Sequence, residues 1–134
     1  MSKPKKPAPK PKIAANIIWF EIPADNLDRA RKFYSSMFGW KINPIPGMAD
    51  YWHIDTGGPD ASPDGGMMAR KQPNQAITNY INVKSLNQAV TKLIKLGGKV
   101  CMPKTPVPGM GFFAVCQDPE NNVFALWEIN RNAK

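Results

Sequence analysis

Apolar positions along the chain change their period several times, and each change marks an element. IIWFEIP (17–23) is rich in β-branched and aromatic residues and predicts a strand. Its alternation puts Trp19 and Glu21 on one face and Ile18, Phe20 and Ile22 on the other, where they would pack on helices. Asp25 is placed to cap a helix, with Asp28 in its first turn, where negative charge suits the helix dipole. Ala30, Phe33, Tyr34, Met37 and Phe38 recur at helical spacing, and Gly39 ends the run. Three short strand candidates follow: WKINPI, YWHIDT and GMMAR. The same order then returns as strand AITNYINV, helix SLNQAVTKLIKL closed by Gly97 and Gly98, and strands KVCMPK, GFFAVCQ and VFALWEI. Asp118-Pro119-Glu120-Asn121-Asn122 reads as the hairpin turn between the last two, with proline at its second position.

That return is a sequence repeat. A shift of 59 residues lays residues 18–44 on residues 77–103 without a gap, matching Ile18 with Ile77, Ile22 with Ile81, Leu27 with Leu86, Ala30 with Ala89, Gly39 with Gly98 and Pro44 with Pro103. Each half is strand, helix, strand, strand, strand, and neither can bury its sheet face alone. The expected class is α+β: two tandem βαβββ modules, about 14–71 and about 76–132, with helices covering one sheet face of a single domain spanning 14–132.

Composition changes the picture at one end only. The 134 residues are 43% apolar, enough for a core, and carry a net charge of +8. Residues 1–12, MSKPKKPAPKPK, hold five lysines and no acid, which leaves +3 for the rest. Prolines alternating with these lysines forbid a helix and favour extended backbone, so residues 1–13 are expected to be a disordered, solvated tail. Its alternative use is a tether to nucleic acid or an anionic membrane, although it has no aromatic ring for base stacking. Neither a membrane-spanning apolar run nor a signal h-region is present, and a reducing cytoplasm is the expected compartment. Cys101 and Cys116 fall on neighbouring predicted strands and read as two small buried thiols, with a disulfide or redox pair as the alternative. No phosphate loop, Gly-x-Gly-x-x-Gly fingerprint or nucleophile elbow occurs, and GGPDASPDGG (57–66) reads as a flexible connection without a basic residue.

IIWFEIPADNLDRARKFYSSMFGW, YWHIDTG, TNYINVKSLNQAV and GGKVCMPKTPVPGMGFFAVCQDPENNVFALWE together resemble the vicinal oxygen chelate superfamily, which includes glyoxalase I, bleomycin-resistance proteins and extradiol dioxygenases. The likeness covers about residues 14–130 and points to small single-domain members. It implies paired βαβββ modules whose sheets curl around a cavity, homodimers with sites near the subunit interface, and metalloenzymes in which two strands of each module give one His, Glu or Gln ligand apiece. Their divalent ion binds vicinal substrate oxygens and stabilises an enediolate or related anion.

Carried over position by position, that ligand set is depleted. The opening strand has Trp19 where relatives place a histidine, and indole cannot bind a metal. Its counterpart in the second module is Thr78. The last strand matches the family's carboxylate with Glu128, and the corresponding place in module one is Ala69. A rescued set, Glu21–His53–Glu128, would suit zinc, manganese or nickel (iron being the family's further option). Against it, Glu21 reads rather as an ion-pair residue at the rim and His53 as a hydrogen-bonded strand residue.

The remaining candidates describe an aromatic, polarizable pocket lined by Trp19, Tyr80, Met67, Leu126 and Phe112 or Phe113, with Met48 and Met110 at its rim, suited to flat or cationic ligands. The same residues would otherwise simply fill the core. Three functions remain open on this reading. The first is a small-molecule binder with a degenerate metal site, in which Glu21, His53 and Thr78 join the lining and Glu128 acts as a base or binds an amine. The second is a divalent-metal lyase, isomerase or dioxygenase using Glu128. The third is a dimeric adaptor with a basic tail.

Overall fold

The computed structural model describes residues 14–59 and 62–134. The lysine–proline segment, together with the tether reading placed on it, lies outside the described residues, as do two positions of the GGPDASPDGG connection.

Ten elements follow the expected order. The first module is β1 (Ile17–Ala24), α1 (Leu27–Phe38), β2 (Lys41–Pro44), β3 (Tyr51–Asp55) and β4 (Asp64–Ala69). The second is β5 (Thr78–Asn82), α2 (Leu86–Lys95), β6 (Lys99–Val107), β7 (Gly111–Gln117) and β8 (Val123–Ile129). All eight strands form one sheet in the order β2-β3-β4-β1-β5-β8-β7-β6. Each half mirrors the other: β1 pairs parallel with β4, β5 pairs parallel with β8, and antiparallel β1–β5 pairing is the seam between them. The 59-residue offset survives into the pairing, since Glu21 lies opposite Gly66 and Tyr80 opposite Ala125. Ala69 therefore does correspond to Glu128.

The helix-covered face holds two apolar clusters, one per module. Ile22, Ala24, Ile42, Ile54 and Met67 are buried with Phe20, Leu27, Ala30 and Tyr34 packed on them. Leu86, Ala114, Cys116 and Leu126 form the second cluster, under Ala89, Val90 and Leu93 of α2. Gly65 has no side chain because the Phe20 ring lies where its Cβ would stand. Each fully buried aliphatic side chain contributes about 1.5–3 kcal/mol through lost contact with water.

Three local expectations are corrected. Asn26, not Asp25, caps α1, its side-chain oxygen accepting from the Arg29 amide at 2.9 Å. Asp25 turns instead to Arg70 Nε at 3.1 Å. The repeat carried the signal for this cap, because Asn26 corresponds to Ser85, which caps α2 through the Gln88 amide. On α1 the stripe facing the sheet is Leu27, Ala30 and Tyr34, which leaves Phe33, Met37 and Phe38 exposed. Of the two cysteines only Cys116 is buried: a register shift between Val100 and Met102 sets Val100 opposite Cys116 and leaves Cys101 exposed and free.

Candidate functional site

Phe20 and Ile22 pack on the helix side, so Trp19 and Glu21 take the open face of the sheet. There the Glu21 carboxylate is held from two sides. Tyr80, on the other side of the seam, donates its hydroxyl to Oε1 at 2.7 Å, and Tyr51 donates to Oε2 at 2.8 Å. Trp19 completes the chain by donating its indole N–H to the Tyr51 hydroxyl at 2.9 Å. Burial, and after it the charge on Glu21, push both phenols above their ordinary value, so each stays protonated and donates. A carboxylate has about four lone-pair sites, and these two bonds use half of them. Glu21 thus keeps acceptor capacity for an incoming donor.

Tyr51 reaches Glu21 only because the strand between them makes room. Gly66 of β4 lies directly between His53 of β3 and Glu21 of β1, and a Cβ there would collide with the Tyr51 hydroxyl and ring. Around this network the rings continue. His53 stacks on Trp19 at 5.8 Å and 16°, and Phe113 tilts against Tyr80 at 6.2 Å. Trp127 pairs with Phe113 across β7–β8. His53 is oriented by Asp64, Nε2 to Oδ2 at 3.1 Å, while Oδ1 of Asp64 accepts from the Thr56 amide and hydroxyl.

The residues singled out in the sequence separate into two groups. Trp19, Glu21, His53, Thr78 and Tyr80 come together on or beside this network, with Thr78 buried opposite Glu21. Met67 and Leu126 do not: both are buried in the helix-side clusters. Glu128 also leaves the group. Two residues from Leu126 along β8, it points to the helix side and accepts from the Leu86 amide at 2.8 Å, satisfying a free N–H in the first turn of α2. Phe112 likewise packs in the second cluster, leaving Phe113 at the site. Met48 and Met110 are exposed. The physical reason is phase: β4 and β8 show alternate residues to opposite faces, and their register with β1 and β5 decides which set meets the helices. Tyr51, Asp64 and Gly66 escaped the sequence reading. Alternation within YWHIDT places Tyr51 beside His53, which was the available signal.

A resident divalent ion does not fit these donors. Glu21 keeps lone pairs and His53 keeps Nδ1, but Glu128 lies on the opposite face and, among the described residues, no further carboxylate or imidazole joins them to complete a set. The residues paired with Glu21 and Tyr80 are Gly66 and Ala125, which offer no ligand. Among the described residues no three His, Cys, Asp or Glu side chains converge.

Residues 16–57, β1 through β3, match a family model described as bleomycin resistance protein-like N-terminal. A glyoxylase-like domain-containing protein of Didymella fabae is 36% identical over 123 residues, covering 85% of this chain and 94% of the relative. The chain belongs to the glyoxalase/bleomycin-resistance/dioxygenase superfamily. The glyoxylase-named protein CFP32 of Mycobacterium tuberculosis is 30% identical over 119 residues, covering 85% of this chain but 46% of its own length. The chain thus spans about half the length of that curated relative. A superfamily member of known structure from Vibrio splendidus shares the fold, with a TM-score of 0.64 over 87% of this chain and all of the other at 8% identity. Within the superfamily's paired-module sheet, the open face at the seam here carries one carboxylate bound by tyrosines.

Proposed function

We propose that this superfamily member binds a small aromatic or cationic molecule on the open sheet face at the seam, with Glu21 as its counter-charge and Trp19, Tyr80 and Phe113 as its walls. The observation that carries the reading is the half-buried Glu21 carboxylate, fixed by the Tyr51 and Tyr80 hydroxyls with acceptor capacity to spare. A planar cation set against it gains a charge-assisted hydrogen bond of about 1.5–3 kcal/mol and cation–π attraction of about 0.5–2 kcal/mol. The reading needs no metal bridge, since Glu128 lies on the opposite face and leaves the ligand set incomplete.

Calorimetric titration of the full chain with metal-free bleomycin and with a simple planar cation, ethidium, tests this. The expected result is saturable binding of at least one of them, weakened about tenfold or more in Glu21→Gln and unaffected in Glu128→Ala. Binding of neither probe, or binding indifferent to Glu21→Gln, overturns the proposal.

A further inference from the structure

Cross-strand partners present their side chains to the same face of a sheet, so register alone traces a row across it. From Tyr80 of the Glu21 network the row runs to Ala125 on β8, Val115 on β7 and Met102 on β6, the edge strand. Tyr80 is itself paired with Trp19, which fixes the whole row on the open face. Three interstrand steps of about 4.8 Å separate its ends. Ala125 is fully buried as the floor, Val115 is half-buried and Met102 is 45% exposed. Phe113, two residues before Val115, flanks the row on one side, and Val123, two residues before Ala125 and also exposed, flanks it on the other. Trp127 leaves the row uncovered: its ring leans away, over Gly111, where a Cβ would collide with it.

Charge on the open face is divided unevenly between the modules. Glu21 and Asp64 stand in the first. From Thr78 to Ile129 the chain's carboxylates are Asp118 and Glu120, in the β7–β8 turn, and Glu128, on the helix side. The face thus has an acidic pole at Glu21 and an aliphatic row leading away from it. We propose that the molecule held at Glu21 is a cationic amphiphile, an amine or quaternary ammonium whose aliphatic chain lies along the row from Tyr80 across Val115 to Met102. The inference rests on the reading of Glu21 as a counter-charge and adds the other half of the ligand. The head meets a carboxylate and the Trp19 and Tyr80 rings, while the chain withdraws Val115, Met102 and its own methylenes from water. A compact cation would cover only the ring-lined end. Lys99 stands beside the far end of the row, paired with Gln117, so an anion of the same length with its head at the sheet edge is the competing ligand. Lys99 is exposed and its charge stays in water, whereas Glu21 is half-buried and held by two phenols; the cation is therefore favoured.

Calorimetric titration of the full chain with butyl-, hexyl- and octyltrimethylammonium, each below its micelle-forming concentration, tests the proposal, with octyl sulfate as the anion of matching length. The expected result is affinity that rises about tenfold or more from the butyl to the octyl compound, as partial burial of four methylenes requires, and octyl sulfate bound about tenfold or more weakly than the octyl cation. In Glu21→Gln all three cations weaken by a similar factor. In the double variant Met102→Ser/Val115→Thr, verified as folded by its far-ultraviolet circular dichroism, the gain from butyl to octyl shrinks to about threefold or less. Cation binding that depends on Glu21 but not on chain length overturns this inference alone and leaves the Glu21 reading standing. A chain-length gain untouched by the double variant, or octyl sulfate bound as tightly as the cation, overturns it too. Cation binding indifferent to Glu21→Gln, or no binding of any of the three, overturns both.

Discussion

Glu21 and Tyr80 occupy the same position in the two modules, 59 residues apart, and are hydrogen-bonded to each other across the seam at 2.7 Å. The backbone repeats there, but the chemistry does not. One copy of the position supplies an acceptor and the other a donor, so near-symmetry of the fold brings together two groups that complement each other. The same asymmetry holds for Trp19 against Thr78: a large ring on one side of the seam, a small buried residue on the other.

The two phenols bound to Glu21 set a pH dependence. Burial first, and then the Glu21 charge, raise Tyr51 and Tyr80 above the value of about 10 that they have in the unfolded chain. Above that pH the unfolded chain loses protons that the native state keeps, so the stability they confer is complete below pH 10 and is lost as pH rises beyond it. Tyr34, the third tyrosine, lies outside the network. Alkaline titration followed by phenolate absorbance is expected to show two tyrosines ionising late and with unfolding. In Glu21→Gln those two ionise at lower pH, since their repulsion from the carboxylate is gone.

Gly66→Ala tests the passage across β4. Its methyl group would occupy the space of the Tyr51 hydroxyl and ring, so Tyr51 must leave Glu21. Overpacking of this kind costs roughly 1–3 kcal/mol. Urea denaturation is expected to report a loss of that size, with a change in tryptophan fluorescence as Trp19 loses its bond to Tyr51. Unchanged stability and fluorescence would mean that the ring does not cross there.

Glu128→Ala separates a helix-supporting residue from a ligand-binding one. The Glu128 carboxylate accepts from the Leu86 amide at the start of α2, and its removal leaves that N–H unpaired at a cost of about 1–2 kcal/mol. Thermal unfolding is expected to shift down accordingly while affinity for the probe cation stays the same. A large loss of affinity with stability intact would return Glu128 to the site.

Thiol labelling distinguishes the cysteines. Cys116 is fully buried, and desolvation, with a smaller effect of Cys101, pushes its thiol up to about 11, whereas Cys101 is exposed. One equivalent of a maleimide is expected to react promptly at neutral pH and a second only in denaturant. Loss of the first equivalent in Cys101→Ser identifies it.

How much of the site could be read in advance follows from the range of the interactions. Trp19 and Glu21 were legible because alternation along a single strand assigns their face once the helix-packing set is recognised. Tyr80 was read only as a ring of the expected pocket, although the 59-residue shift makes it the counterpart of Glu21. Met67, Leu126 and Glu128 were misplaced because alternation gives only two candidate faces for β4 and β8, and the wrong phase turns every side chain over. Gly66 gave no signal, since its role is to have no side chain beneath a ring delivered from another strand.

Element order, the duplicated plan, the helix boundaries to within a residue or two and the superfamily resemblance follow from the sequence alone, because periodicity, caps and turns act over a few neighbouring residues. Only the tertiary structure decided that Glu21 is shared between Tyr51 and Tyr80, and that Glu128 serves α2 on the opposite face of the sheet. Those bonds join residues 30, 59 and 42 positions apart. They depend on strand register and on how the two modules meet at β1 and β5, which no local pattern encodes.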